Sequence, residues 1–245
     1  MRPLRRRSKN RRKTPRLVEC LLLISFALLP FALSPSATAQ VIADRTIATV
    51  TNGSQATPDV ITYSDLVWQL ALEPGTPFSE RPGSNELRHA LESIEDQLLI
   101  LQEARKLPTA NTPEAIAKHN KDVQDRRDEL ARLMGSAARL QERMTRVGLT
   151  SEQLDAILRD RVVVEDYLDF RFRAFVVVTP KEITDRYNQD YGRLRNTGRI
   201  VPTLDSVRDQ IEQKLKAEKE EEQIDKFVDS LREQPGTEIV ILSPV

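Results

Sequence analysis

The chain has 245 residues with 37 basic and 37 acidic side chains and a single cysteine, so it holds no internal disulfide and is long enough to bury one or two cores. Nine of the basic residues and one acid fall in the first 39 positions, which leaves 28 basic against 36 acidic beyond them. That acidic remainder argues against a nucleic-acid partner, whose phosphates demand a basic surface.

The first element is a leader. "MRPLRRRSKNRRKTPR" carries its basic residues without an acid, and "LVECLLLISFALLPFAL" is an apolar run interrupted by Glu19 and Pro30, too short for a comfortable spanning helix. "SPSATAQ" follows, and Ala37 with Ala39 makes a small-residue cleavage site, so residues 1–39 read as an export signal cut between Ala39 and Gln40. The expected destination is the periplasm. The rival reading is an uncleaved inner-membrane anchor facing the periplasm, with its basic flank held in the cytoplasm. Arg11 and Arg12 permit a twin-arginine route without specifying it. Cys20 follows Glu19, where a lipoprotein signal wants a small residue, and it precedes the apolar run, so lipidation is not expected.

Beyond the leader, Ile47, Ala48 and Val50, then Val60 and Ile61, have the β-branched content of short strands around the turn-prone "NGSQATP". Thr62 with Asp65 resembles a capping box and starts a short helix through Trp68 and Leu72. After a Pro- and Gly-rich loop over 74–83, Leu87, Leu91, Ile94, Leu98 and Leu101 recur on one face of a helix over about 85–106. Thr112 with Pro113 opens a long polar helix through Met144, whose stripe of Ile116, Val123, Leu130, Leu133, Ala137 and Leu140 is thin enough to pack on one side only. Thr150 with Gln153 opens a helix through Phe175. Leu154, Leu158, Val162 and Leu168 mark one of its sides, and Val164, Tyr167, Arg171 and Ala174 a second, which places it between neighbours.

"TPKE" sets Thr179 as a cap, Pro180 at the first helical position and Glu182 as its capping-box partner. In the last helical segment Leu204, Val207, Ile211 and Leu215 point one way while Ile224, Phe227, Val228 and Leu231 point roughly the opposite way, so its halves must pack on different surfaces. "TEIVIL" then reads as a strand able to join the N-terminal ones, because an isolated hairpin is only marginally stable in water. The expected fold is mainly α, with a small β-sheet formed by the N-terminal strands and the C-terminal strand.

The order of "VTNG…VITYSDL", "LRHALESIEDQLLILQEARKL", "GLTSEQLDAILRDRVVVEDYLDFRF" and "VTPKEITDRYNQDYG" resembles the N-terminal chaperone domain of SurA and its relatives, the periplasmic parvulin-type foldases. "TLDSVRDQIEQKLKAEKEEEQIDKFVDSLREQPGTEIVIL" resembles the segment that follows the isomerase domain there and returns to complete the N-terminal domain. The resemblance implies a helical chaperone domain over 40–192, a short connection over 193–202 and a completing helix and strand over 203–245. In the isomerase-bearing relatives a parvulin domain of roughly a hundred residues, an ordinary domain size, stands where that connection lies. Such a domain needs histidines, a reactive polar group and a glycine-rich loop, whereas this chain has only His89 and His119, both in expected helices.

The residues offer no other chemistry. The two histidines have no partner at ligand spacing, no serine sits in a glycine elbow, no loop is built to cradle phosphates, and "KAEKEEEQ" is a solvated helical face, because carboxylates on one continuous helix do not wrap an ion. No catalytic residue, metal or cofactor is therefore expected. The resemblance implies ATP-independent holding of unfolded exported polypeptides, particularly aromatic-rich outer-membrane β-barrel precursors, in an apolar crevice between helices. Trp68, Tyr167, Phe170, Phe172 and Phe175 are the candidate lining. The rival class is a structural or adaptor protein of the envelope that uses its long polar helices for a fixed partner or a homodimer. A prolyl isomerase is the weakest reading.

Overall fold

The computed structural model describes residues 44–245 apart from 78, 80, 109, 174 and 198; the expected cleavage site at Ala39 and Gln40 lies outside them. Strands β1 (Thr46–Thr51) and β2 (Asp59–Thr62) form an antiparallel pair in which Val50 faces Asp59 and Thr46 faces Thr62. The register slips between Thr46 and Ala48, and this one-residue bulge accompanies full burial of both Ile47 and Ala48, neighbours that a regular strand would send to opposite faces. Strand β3 (Glu238–Ile241) pairs antiparallel with the other edge of β1, giving the order β2-β1-β3. The C-terminal strand therefore closes a sheet begun by the N-terminal ones. Gly53 and Gly236 make the approach feasible: both have positive φ, and a Cβ on Gly53 would stand 3.2 Å from the Gly236 carbonyl oxygen.

Among the described residues, seven helices supply the rest. The first, α1 (Tyr63–Ala71), starts at a capping box: the Thr62 hydroxyl accepts from the Asp65 N–H, and the Asp65 carboxylate accepts from the Thr62 N–H at 2.8 Å. After α2 (Ser84–Ala104), the long polar helix comes as two. The first piece, α3 (Pro113–Leu133), ends before Gly135, whose φ of 93° is the left-handed conformation that terminates helices, and Ser136 caps α4 (Ala137–Arg146) immediately afterwards. The break turns the thin stripe: Val123, Leu130 and Leu140 are buried, whereas Ile116 and Leu133 are exposed. Helix α5 (Ser151–Leu168) begins at the expected Thr150–Gln153 box and stops short of Phe175, passing into a wider π turn over Asp169–Arg173.

Helices α6 (Pro180–Asn196) and α7 (Leu204–Arg232) form a hairpin joined by a short connection, with Tyr187 donating to the Pro202 carbonyl across it at 2.7 Å. Helix α7 runs on into the main body, and the two halves serve different cores as their apolar faces require. Val207 and Ile211 pack with Ile183 and Tyr187, while Val228 and Leu231 join the sheet, α2 and the end of α5. A third cluster gathers α3, α4 and the first half of α5. Asp44–Val245 forms one compact unit, so the segment after the connection packs with the segment before it. Among the described residues no helix is long and apolar enough to cross a membrane.

Two polar clamps fix α2 against its neighbours. Gln102, 1% exposed, accepts from the Asn52 N–H at 2.8 Å and donates to the Val50 carbonyl and the Asp59 carboxylate, which joins α2 to both N-terminal strands with every side-chain group satisfied. At the far end of the chain, the Arg232 guanidinium donates to Glu95 and Asp96 on α2.

Candidate functional site

On α5, Val163, Asp166, Tyr167 and Phe170 follow the i, i+3, i+4, i+7 spacing that places side chains on one face. Opposite them, α2 ends at Ala104, and the chain leaves through Leu107 and Pro108 before Thr112 and Pro113 start α3. The first turns of α3 then bring Ile116, Lys118, His119 and Asp122 to the same place. Together these segments enclose an open groove of about 480 Å³.

Its apolar content is the unusual feature. Leu107, Ile116 and Phe170 are 45%, 52% and 73% exposed, and all three stand on this one groove, over Val163 and Tyr167. Scattered exposed leucines are ordinary, but three large apolar side chains gathered around one trough are a surface with something to cover. The rim is charged: Lys118 donates to Asp122 at 2.6 Å, and this bond, with the nearby Asp166 carboxylate, holds the lysine above its ordinary pKa. His119 is the only imidazole at the groove, and among the described residues no three His, Cys, Asp or Glu side chains gather as a metal would require. The arrangement offers apolar area with few directional partners, which is binding chemistry of low sequence selectivity.

The five aromatic residues expected to line a crevice do not meet in one place. Tyr167 and Phe170 reach the groove, but Tyr167 is 8% exposed and belongs mostly to the main core. Phe172 turns to the other side: its ring centroid lies 5.4 Å from that of Phe227 on α7, and the Arg171 guanidinium sits 4.4 Å over the same Phe227 ring. Trp68 packs on the cluster of α3, α4 and α5, with its indole N–H donating to the Val147 carbonyl at 3.1 Å. Phe175 is exposed just beyond the π turn and does not line the groove.

The residues are too unevenly spaced to share a face: at about 100° per residue Phe172 already stands about 200° round the helix from Phe170, and the π turn over Asp169–Arg173 ends the regular helix before Phe175. Leu107, Ile116 and His119 escape sequence reasoning as site residues because each stands near a helix end or among polar neighbours, and Val163 because it is flanked by Val162 and Val164 and reads as part of the buried stripe. The one signal the sequence does carry is Leu107 followed by Pro108, an apolar residue just past a helix terminus.

No protein-family model matches the sequence, and no curated protein matches it.

Proposed function

We propose that the chain is an exported, ATP-independent holdase of the SurA type that lacks the parvulin domain and shelters unfolded polypeptides, outer-membrane β-barrel precursors among them, in the groove between α2, α3 and α5. The observation that supports this reading is the gathering of exposed Leu107, Ile116 and Phe170 above an apolar floor. Burying client side chains there gains about 25 cal/mol per Å² of apolar surface and imposes no fixed hydrogen-bond pattern, which suits many clients better than one. The short connection between α6 and α7 supports the second half of the proposal, since a domain of roughly a hundred residues has no place in it.

The test uses two unrelated unfolded clients and the purified chain, reading suppression of aggregation beside a melting curve. Phe170→Ser removes apolar surface already exposed, so it should lose client protection while melting normally. Tyr167→Ser is the contrasting variant: it strips a buried ring and should lower the melting temperature, at a cost of about 3 to 5 kcal/mol. If Phe170→Ser protects both clients as well as the parent chain, the groove is not the client site. Binding to one folded partner or to a second copy, with no protection of either client, would favour the adaptor reading.

A further inference from the structure

Another face of α5 carries an arginine that nothing in the fold uses fully. Arg161 makes a single hydrogen bond, to Gln69 Oε1 at 2.7 Å, and no ion pair among the described residues. Most of the other charges around it are engaged. Arg126 donates to Glu129 and to Glu165, Arg105 pairs with Asp59 and Asp160, and Asp65 is held in the α1 capping box. Burial first, and then the neighbouring Arg126, push the Arg161 guanidinium below its ordinary pKa, against the pull of Glu165. Arg161 is half-buried, and the four N–H groups that have no acceptor among the described residues stay open to solvent in the cleft beside it.

Arg161 stands between two cavities. One, of about 180 Å³, lies between α1, α2 and α5; its lining is largely apolar, with Ile94, Leu98, Leu101, Ile157 and Val164, and also holds Asp65 and Asp160, the carboxylates engaged in the α1 capping box and with Arg105. The other, of about 280 Å³, is more open and carries Glu73 and Glu165 at its mouth. They share Gln69, Leu72, Gln97, Arg161 and Val164, so they are two chambers of one cleft. Gln69 and Gln97 both donate to the Ser93 hydroxyl, at 3.2 and 3.0 Å, which fixes the polar wall beside the guanidinium.

We propose that this cleft binds a small apolar carboxylate, with Arg161 holding the carboxylate and the chamber between α1, α2 and α5 taking its aliphatic tail. The guanidinium fork matches a carboxylate in a bidentate pair, and folding has already removed part of its hydration, so an arriving carboxylate replaces the remaining water and supplies a direct counter-charge. A largely apolar chamber suits an aliphatic group, and the carboxylates of Asp65, Asp160, Glu73 and Glu165 in the lining oppose multiply charged anions. The ligand is either a free short-chain acid or the terminal carboxylate of a polypeptide with an aliphatic last residue. None of the residues lining this cleft lines the groove of the proposed holdase site, so the two ideas stand or fall separately.

Calorimetric titration of the purified chain with hexanoate and hexanamide, and with N-acetyl-Ala-Ala-Leu as free acid and as terminal amide, tests the site. At least one acid should bind, with its amide weaker by about tenfold or more, as expected for loss of a charge-assisted bond. Hexanoate alone would identify a free acid, the tripeptide acid alone a chain terminus. Arg161→Gln should reduce the acid to the affinity of its amide, whereas Phe170→Ser should leave it unchanged. The acid-against-amide contrast is read on the unaltered chain and so does not depend on the variant folding. Absence of binding by either acid at millimolar concentration, or equal affinity for acid and amide, would overturn the proposal.

Discussion

The two ends of α7 live in different physical environments. At its C-terminal end, Val228 and Leu231 enter a cluster of sixteen buried residues that also draws on the sheet, α2 and α5; at its N-terminal end, Val207 and Ile211 form a cluster of four buried residues with Ile183 and Tyr187, flanked by the half-buried Val178, Tyr191, Leu204 and Leu215. The charges differ in the same sense. In the body, burial raises the Glu95 and Asp96 carboxyls above the usual range even though Arg232 pulls the other way. On the hairpin of α6 and α7, the hydrogen bond from Lys219 and the Thr179 cap hold Glu182 down to about 2, and Arg186 holds Glu218 below its ordinary value. Where the core is large, desolvation decides how a carboxylate behaves; where it is small, exposed pairing decides. Exposed pairs contribute little and weaken with salt, so the hairpin is the part of the molecule with the least to hold it shut.

The largest expected effect falls on the body. Deleting everything after Gln234 removes β3 from the edge of β1, together with Ile239 and Val245, which pack on the main core. Each large side chain fully buried is worth about 1.5 to 3 kcal/mol, and these are only partly buried, so a loss of several kcal/mol in total is the upper range. The whole body should melt clearly lower, and an unchanged melting temperature would mean that the chain ends do not hold each other. Gln102→Ala is the next test. It leaves the Asn52 N–H and the Val50 carbonyl without their buried partner and should cost about 1 to 3 kcal/mol for each group left unsatisfied. A Gln102→Ala chain as stable as the parent would show that the clamp is dispensable and that apolar packing alone seats α2 on the strands.

Much of this contrast is legible in the sequence. The opposed apolar faces at Val207 and Ile211 and at Val228 and Leu231 require two packing surfaces, and the capping boxes at Thr62, Thr150 and Thr179 start helices where they are expected. "TEIVIL" is read as a partner for the first strands on composition alone, and β3 takes that place. The pattern hides features whose cause is tertiary. Gln102 sits one position beyond Leu101 and reads as a polar residue at the margin of an apolar stripe, because nothing local reveals that two strands will present it with a donor and an acceptor. Arg161 is hidden for the same reason, as one charge among many on a mixed helix. The break at Gly135 is open to reading, since a glycine followed by serine is a helix stop followed by a cap, but the polar stripe on both sides masks it. Of the aromatic residues proposed as a lining, Tyr167 and Phe170 stand at the groove while Phe172 packs on Phe227, a separation that depends on how α7 crosses the end of α5 and that no local pattern reveals.

The smallest effect is the one that separates the two regions most directly, because acid acts on them with opposite signs. Glu182 has a folded pKa of about 2 against an ordinary value of 4.5, so its contribution to the hairpin is fully present above pH 4.5 and is lost as the pH falls through about 2. Glu95 and Asp96 have raised folded values, so the stability they contribute is present below their ordinary values and is lost as the pH rises through the folded ones. The relief of Glu95 and Asp96 in the body is therefore gained at higher pH, as the pH falls to their ordinary values of 4.5 and 3.8, whereas acidification from pH 4.5 toward 2 should loosen the hairpin. Methyl NMR resonances of Ile183 and Ile211 should shift or broaden in that window before those of Ile61 and Leu154 do. Glu182→Gln isolates the cause, since glutamine still serves in the Thr179 capping box but gives up the ion pair with Lys219 at 2.7 Å. The variant should start slightly looser at neutral pH and respond less to acid. Should it titrate like the parent chain, the hairpin is held by its apolar contacts and not by its charges.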